Sequence, residues 1–333
     1  MKYLTLAAAL LICGAASAEH FKVIAPMGKD DDGAMAYLIN YDTTEPIDSA
    51  LVADGVVTFE GEIDEPITAR VTIDGGRMPV FILESGTISF NAKEGAFGTM
   101  LNDQMREFFK TRAQLGESYN KAAESERGQI MERYHAMIDS IVNANRDNAL
   151  GYLFFLNSDA SQASAAELRD TFKQYPEFAK YKRSQALLAS AEKREATQPG
   201  NKYVDFEVPY DGKTYKLSDY IEPGKYTLVD FWASWCGPCM RQAPVLKSLY
   251  EKYHDKGLNI VGVAVWDEPE NTLAAIKSHG LTWPNIIGAQ TIPTDLYGIS
   301  GIPCIMLIGP DGTILSRDKQ GDELVADVEK YIK

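Results

Sequence analysis

An apolar run that leads directly into two closely spaced cysteines constrains this chain more than any other feature of its sequence. Residues 226–233 read YTLVDFWA, which is typical of a β-strand that is buried on both faces. The chain continues S-W-C-G-P-C, so that Cys236 falls at or near the first position of a helix and Cys239 follows one turn later. We therefore expect two thiols at the junction between a core strand and a helix.

The start of a helix is a favourable place for a thiolate. The first N–H groups of a helix have no carbonyl partner within it, and together with the helix dipole they stabilise negative charge. A free thiol has a pKa of about 8.5, and cysteines in this setting or in C-x-x-C pairs have values of roughly 3.5 to 7.5. Cys236 is predicted to be the attacking nucleophile, and Cys239 the more buried partner that resolves the reaction by closing a disulfide.

A zinc site and a purely structural disulfide are the alternatives for such a pair. Zinc needs four ligands, and the sequence contains neither a second C-x-x-C nor an H-x-x-x-H. We predict no metal and no cofactor. The structural disulfide stays open as an interpretation of the pair alone.

The first 18 residues have the pattern of a secretory signal peptide. Lys2 is followed by an apolar run from Leu4 to Ile12, and small residues then end at Ala18. This predicts a chain that is exported across the inner membrane to the periplasm and begins, after cleavage, at Glu19. Lipid attachment at Cys13 is the alternative, although the isoleucine before it replaces the small residue that a lipobox requires.

Charge and cysteine usage narrow the class of protein further. The formal net charge of −14 disfavours binding to nucleic acid, which we exclude as a partner. Beyond the predicted signal the chain has three cysteines, Cys236, Cys239 and Cys304. So few cysteines in an oxidising compartment suit a redox pair better than a disulfide scaffold.

Three regions follow the predicted signal peptide of residues 1–18. Residues 19–98 alternate in short apolar runs separated by turn signals, which predicts a small antiparallel β domain. In residues 99–198 the apolar period becomes helical, and we interpret its stripes as core faces of a helical region that packs, forms a homodimer or presents partners. The predicted strands are 36–40, 56–60, 69–73, 80–83 and 87–91.

The segment Ala196–Gly200 breaks the last helix and marks a boundary. In residues 199–333, strands alternate with helices, which predicts an α/β layer with parallel strand pairing. The predicted elements here are a hairpin at 204–217, the strand before the cysteines, a helix to about 254, a strand at 260–266, a helix at about 269–279, a hairpin at 305–317 and a helix at 322–332.

These residues resemble the thioredoxin superfamily. The resemblance rests on V-D-F-W-A before Cys236, on Pro244 after the pair, and on Gly301-Ile302-Pro303 before a strand. The leading hairpin and the helix inserted after Trp266 are similar to the secreted TlpA/ResA-type branch, and the front half resembles the uncharacterised β domain of Bacteroidetes precursors. The resemblance implies a thioredoxin fold for residues 199–333.

The resemblance also implies roles for individual residues. Pro303 matches the cis-proline that faces the disulfide, and the backbone of Ile302 would pair with an extended substrate. Asp230 matches the buried acid that exchanges a proton with the resolving thiol, and a carboxylate in an apolar strand should have a raised pKa. Its alternative is a paired structural carboxylate. Gly237 and Pro238, between the cysteines, match the thioredoxin dipeptide.

Four further residues are candidates for the site. Trp232 and Trp235 would form, with the Ile302–Pro303 segment, an apolar collar for unfolded or extended substrates. Glu268 lies near the position of a glutamate with a related proton-transfer role in the TlpA/ResA branch, and the alternative is an exposed acid at a helix start. Cys304 departs from the family pattern, and we interpret it as an inert buried thiol, the alternative being a third redox-active cysteine.

The sequence therefore predicts a thiol–disulfide oxidoreductase of the cell envelope that reduces protein disulfides. Its expected partners are disulfide-containing protein clients and a membrane-linked electron donor. A thiol peroxidase is the first alternative, although the P-x-x-x-[ST]-x-x-C context of peroxidatic cysteines is replaced by Val229 and Ala233. The second alternative is a client-binding module in which the N-terminal half dominates function.

Overall fold

The computed structural model describes residues 18–73, 76–91 and 93–332. The predicted signal peptide, apart from its last residue, and Cys13 lie outside these residues. The described chain divides into two compact units. The first comprises the residues up to Ser158 together with Tyr175–Ser184, and the second comprises Asp159–Gln174 and the chain from Gln185 onward.

The first unit begins with two β-sheets, with strand orders β4-β1-β8-β9 and β3-β2-β5-β6, and β7 also pairs with β5. The predicted strands of this region are all present. Every strand pair described in this unit is antiparallel except β1 with β8, which run parallel. The strands are β1 (Glu19–Pro26), β2 (Met35–Asn40), β3 (Pro46–Leu51), β4 (Val56–Ile63), β5 (Ile67–Ile73), β6 (Gly76–Arg77), β7 (Phe81–Leu83), β8 (Gly86–Asn91) and β9 (Gly95–Phe97).

Helices follow these sheets, as the change of period predicts. The short apolar helix α3 (Ala149–Leu156) is buried along almost its whole length. Ser164 and Glu167 form a capping box at the start of the fourth helix. The N–H of Glu167 donates to the Ser164 hydroxyl at 3.2 Å, and the N–H of Ser164 donates to the Glu167 carboxylate at 2.8 Å. The helices are α1 (Met100–Lys121), α2 (Glu124–Ala144), α3 (Ala149–Leu156), α4 (Ala165–Gln174) and α5 (Lys182–Ala196).

The prediction that the stripes of α1 and α2 are core faces is only partly correct. In α1, Leu101, Met105 and Phe108 are buried. Phe109 is 41% exposed and Met131 of α2 is 40% exposed. The other members of the predicted α2 stripe are half-buried, so the apolar face of α2 is incompletely covered; they are Ile130, Tyr134, Met137, Ile138 and Ile141.

The second unit contains a five-stranded sheet of order β14-β13-β12-β15-β16. The central strand β12 is parallel to β13 and antiparallel to β15. Strand β14 and helix α8 were not predicted. The elements are β10 (Glu207–Tyr210), β11 (Lys213–Lys216), β12 (Tyr226–Trp232), α6 (Gly237–Tyr253), β13 (Leu258–Ala264), α7 (Pro269–His279), β14 (Asn285–Ile286), α8 (Ile292–Tyr297), β15 (Cys304–Ile308), β16 (Ile314–Arg317) and α9 (Gly321–Tyr331).

Both faces of β12 are buried, and alternation sends its side chains into two different cores. Val229 and Phe231 pack in one core together with Cys304 of β15. On the other face, Leu228 packs with residues of α6, and Trp232 packs with the cysteine pair. The cysteine pair and Cys304 therefore belong to opposite sides of the sheet.

A buried guanidinium joins the end of α5 to this sheet within the second unit. Arg317 of β16 is 7% exposed and donates hydrogen bonds to the carbonyl of Tyr297 at 3.0 Å and to the carbonyl of Thr197 at 3.3 Å. It also donates to the Thr197 hydroxyl. These bonds satisfy carbonyls at the C-terminal ends of α5 and α8 that have no partner within their helices.

None of the helices in the described ranges combines the length and the apolar character needed to cross a lipid bilayer.

Candidate active site

The cysteine pair lies where β12 gives way to α6. Cys236 is the N-cap residue of α6 and is joined to Cys239 by a disulfide, with a Cα–Cα distance of 5.2 Å. Pro238 lies in the first turn, where its missing N–H costs no hydrogen bond. The Sγ of Cys236 accepts the N–H of Cys239 at 3.1 Å. When the disulfide is reduced, this N–H and the helix dipole favour the thiolate of Cys236 over the thiol.

Both cysteines are buried, since Cys236 is 3% exposed and Cys239 is 2% exposed. The surface beside them is formed by Trp235, which is 62% exposed, and by the segment Ile302–Pro303, whose peptide bond is cis. The carbonyl oxygen of Ile302 lies 3.7 Å from the Sγ of Cys236. The predicted residues Cys236, Trp235, Ile302 and Pro303 therefore meet at one surface.

Trp232 does not belong to this surface. It is 1% exposed and packs under the cysteines, and its indole N–H donates to the Oδ1 of Asn285 at 3.1 Å. This differs from the prediction that Trp232 contacts substrate. The reason is that the side chain follows the alternation of β12 into the core, whereas Trp235 lies beyond the strand end.

Asp230 is a buried carboxyl on the same face of β12 as Leu228 and Trp232, which is the face that α6 covers. It lies opposite Gly262 of β13 and Ile305 of β15, and its Oδ1 has no hydrogen-bond partner among the described residues. Burial raises the pKa of Asp230 to about 7. A carboxyl with this pKa can accept and return a proton near neutral pH.

The acid that holds the loop before the cysteines is Asp267, which the sequence prediction missed. Its carboxylate is buried and accepts the N–H of Ser234 at 2.7 Å, the hydroxyl of Ser234 at 2.9 Å and the hydroxyl of Thr272 at 2.9 Å. The predicted neighbour, Glu268, is exposed and its side chain makes no hydrogen bond in the described part of the chain. The sequence shows two adjacent acids after the end of β13, Asp267 and Glu268, but their pattern does not show which of the two faces inward.

The loop after β13 holds the cysteine segment at a second point. Trp266 has a φ of +54°, a left-handed conformation that is uncommon for a bulky residue. In this conformation its carbonyl accepts the indole N–H of Trp235 at 2.9 Å. The exposed ring beside the disulfide is thereby fixed in orientation.

Cys304 lies in register with Phe231 and packs with it on the face of the sheet away from α6. It is 2% exposed, and burial is the main cause that raises its pKa well above the ordinary thiol value. A protonated, covered thiol is a poor nucleophile. This placement supports the interpretation of Cys304 as an inert buried thiol.

The arrangement as a whole suits disulfide exchange. No group of three His, Cys, Asp or Glu side chains within residues 18–73, 76–91 and 93–332 is placed to hold a metal ion. The site instead combines a dithiol pair at a helix start, a buried carboxyl with a pKa near neutrality and an exposed aromatic ring.

Comparison with known proteins gives two family matches. Residues 199–317 match the AhpC/TSA family, and residues 21–105 match a domain of unknown function, DUF4369. The thiol-disulfide oxidoreductase ResA of Bacillus thuringiensis subsp. konkukian is 32% identical over 147 residues, which cover 42% of this chain and 80% of the relative. ResA of Bacillus subtilis is 30% identical over 105 residues, covering 32% of this chain and 58% of the relative.

Among solved structures, the thioredoxin domain of a thiol-disulfide oxidoreductase from Bacteroides vulgatus is 30% identical, with a TM-score of 0.36, and covers 40% of this chain and 98% of that one. The order of the five-stranded sheet, with the AhpC/TSA match and the ResA relatives, confirms the predicted α/β fold of the thioredoxin type, which a β-rich domain and helices precede. The chain belongs to the family of ResA thiol-disulfide oxidoreductases.

Proposed function

We propose that the chain reduces disulfides of protein clients in the cell envelope, using Cys236 and Cys239 as a redox dithiol. The observation that carries this proposal is the Cys236–Cys239 pair at the N-terminus of α6, with the Cys239 N–H 3.1 Å from the Cys236 sulfur. This contact favours the thiolate at one sulfur of the pair, and the C-x-x-C spacing keeps the second sulfur within bonding reach.

The reaction proceeds in two thiol–disulfide exchanges. The Cys236 thiolate attacks one sulfur of the client disulfide, which breaks the client S–S bond, forms a mixed disulfide and releases the first client thiolate. The Cys239 thiolate then attacks the Cys236 sulfur, restores the Cys236–Cys239 disulfide and releases the second client thiolate. Two electrons pass from the dithiol to the client, and the disulfide form described above is the product state.

Asp230 is proposed to take the proton of the Cys239 thiol before the second exchange. Its buried carboxyl lies on the α6 side of β12 and has a pKa of about 7, so at neutral pH it is present in both protonation states. Pro303 and the carbonyl of Ile302, with the ring of Trp235, are proposed to receive an extended client segment next to the reactive sulfur.

The direction of exchange is proposed from the residues between the cysteines. Gly237-Pro238 is the thioredoxin dipeptide, and thioredoxin has a reduction potential of about −270 mV, against about −120 mV for the strong oxidant DsbA. A chain of this kind donates electrons and must be re-reduced by a membrane-linked dithiol donor. The signal-like residues 1–18 support a periplasmic location.

Trapping of mixed disulfides tests the proposal. The variant Cys239→Ser retains the attacking thiol and cannot resolve the mixed disulfide, so clients should remain covalently bound and be released by dithiothreitol. The matched control is the double variant Cys236→Ser/Cys239→Ser, which should trap none. Absence of trapped partners in Cys239→Ser, or equal trapping in the double variant, would contradict client reduction.

Equilibration of the isolated protein with glutathione tests the direction. We expect a reduction potential close to that of thioredoxin. A value more oxidising than about −180 mV, the potential of protein disulfide isomerase, would reverse the proposed direction.

A further inference from the structure

The first unit contains a cavity of about 320 Å³ that the redox chemistry does not use. Its wall is formed by Arg70 of β5, by the loop residues Tyr41, Pro79 and Val80, and by residues of α1, α2 and α3. The residues on which the inference rests are Tyr41, Arg70, Phe108, Phe109, Arg112 and Phe154. This volume falls in the range of small-molecule sites.

The cavity carries positive charge without a counter-charge. Arg70 and Arg112 both line it, and none of the described residues that line it is an aspartate or a glutamate. The Nε of Arg70 is buried and has no hydrogen-bond partner within the ranges that the structure describes. Neither guanidinium forms an ion pair with another described residue, although the chain as a whole has a net charge of −14.

Aromatic rings hold both guanidinium groups in place. The Arg70 guanidinium lies 4.9 Å from the centre of the Tyr41 ring, and that of Arg112 lies 5.4 Å from the centre of the Phe109 ring. Such cation–π contacts orient a guanidinium and leave its N–H donors free for a ligand. The other arginines close to this region differ, because Arg106 pairs with Asp103 at 3.4 Å and Arg183 donates to the Tyr41 carbonyl at 2.7 Å.

We propose that this cavity binds an organic anion with an apolar body, in which a carboxylate or sulfonate accepts hydrogen bonds from Arg70 or Arg112 and the body packs against the aromatic wall. An uncompensated buried donor is costly, and an anionic acceptor removes that cost. The aromatic side chains Phe108 and Phe154, with ring centres 4.2 Å apart, provide the apolar contact.

The site can take a body longer than the cavity itself. A second cavity of about 290 Å³ lies between α1 and α2 and shares Arg112 and Tyr134 with the first. Its other lining residues include Leu115, Ile130 and Met131. This explains why the apolar stripe of α2 is left incompletely covered by the protein itself.

Fluorescence titration of the full chain with 1-anilinonaphthalene-8-sulfonate tests the proposal, because this probe has an aromatic body and a permanent negative charge. The neutral analogue N-phenyl-1-naphthylamine serves as the comparison. We expect the sulfonate to bind more tightly than the neutral probe. Arg112→Gln and Arg70→Gln should each raise the Kd of the sulfonate, the more important of the two by about tenfold, and should leave the Kd of the neutral probe unchanged.

Arg133→Gln is the matched control, since it removes the same charge from an exposed position of α2 that does not line the cavity. Circular dichroism establishes whether each variant is folded. If Arg70→Gln unfolds, the result for Arg112→Gln, on the exposed face of α1, tests the proposal by itself. Equal binding of the two probes would overturn the proposal. It would also be overturned if Arg112→Gln changed the Kd of the sulfonate by less than twofold and Arg70→Gln, where folded, did the same.

Discussion

The buried carboxyl of Asp230 makes a quantitative prediction about the pH dependence of stability. Burial raises its pKa from an ordinary value of 3.8 to about 7. Between these values the folded state holds a proton that the unfolded state has lost, so the free energy of unfolding falls as pH rises. Each pKa unit corresponds to about 1.4 kcal/mol, so the full destabilisation above pH 7 is about 4 kcal/mol.

The variant Asp230→Asn removes the titration and keeps the shape of the neutral side chain. Relative to wild type, the variant should be more stable by about 2 kcal/mol at pH 5.5 and by about 4 kcal/mol at pH 8.5, because only wild type continues to lose stability over this interval. The difference between the two pH values is the more robust quantity, since it cancels any change in packing that the amide introduces.

Urea unfolding followed by tryptophan fluorescence measures this difference. All four tryptophans lie in the second unit, so the fluorescence reports on the unfolding of that unit alone; they are Trp232, Trp235, Trp266 and Trp283. The control is Asp255→Asn, at an exposed position of the same unit. If the wild-type and Asp230→Asn stabilities change in parallel between pH 5.5 and pH 8.5, the assignment of a raised pKa to Asp230 is wrong.

Three further predictions follow from neighbouring positions. Cys304→Ser should leave client reduction and mixed-disulfide trapping unchanged, and a lower rate of insulin reduction by this variant would show that the thiol takes part. Asp267→Asn should lower the free energy of unfolding by about 1–3 kcal/mol, and with it the urea midpoint, because hydrogen bonds to the loop before the cysteines are lost. Glu268→Gln should have no such effect, and equal effects of the two variants would refute the assignment of the loop contact to Asp267. Gly262→Ala would place a Cβ 1.9 Å from the Oδ1 of Asn285, so it should cost roughly 1–3 kcal/mol, and an unchanged midpoint would contradict this.

The elements with strong patterns could be predicted from the sequence. The apolar run before Cys236 and the helix after it lie where expected, and so does the hairpin of β15 and β16. These segments are long or buried on both faces, so local pattern and tertiary environment agree. By contrast, β14 has two residues and α8 has six, which is too short for a period to be visible.

The orientation of side chains at the site could be predicted less well. Trp232 and Trp235 are three positions apart in one apolar segment, yet one is fully buried and the other is exposed. The difference depends on where β12 ends, and Asn285 is available to Trp232 only because a distant strand adds to the sheet edge. Similarly, Asp267 is buried and Glu268 is exposed, and they follow Trp266, whose left-handed conformation no local preference predicts.

The buried guanidinium of Arg317 bears on which part of the chain can fold independently. A fragment that began at Pro199 would leave Arg317 without its Thr197 acceptors, while the bonds of Arg317 to the Asp318 carboxylate at 3.1 Å and to the Tyr297 carbonyl would remain. A buried donor that loses its acceptor costs about 1–3 kcal/mol. Upstream, the carboxylate of Glu195 accepts the N–H of Ala165 at 2.7 Å, so the stabilising contacts continue into α4. We therefore expect a fragment that begins at Asp159 to have a higher free energy of unfolding than one that begins at Pro199. The C-terminal part of α5, which the sequence pattern assigns to the preceding helical region, therefore contributes to the stability of the unit that contains the cysteine pair.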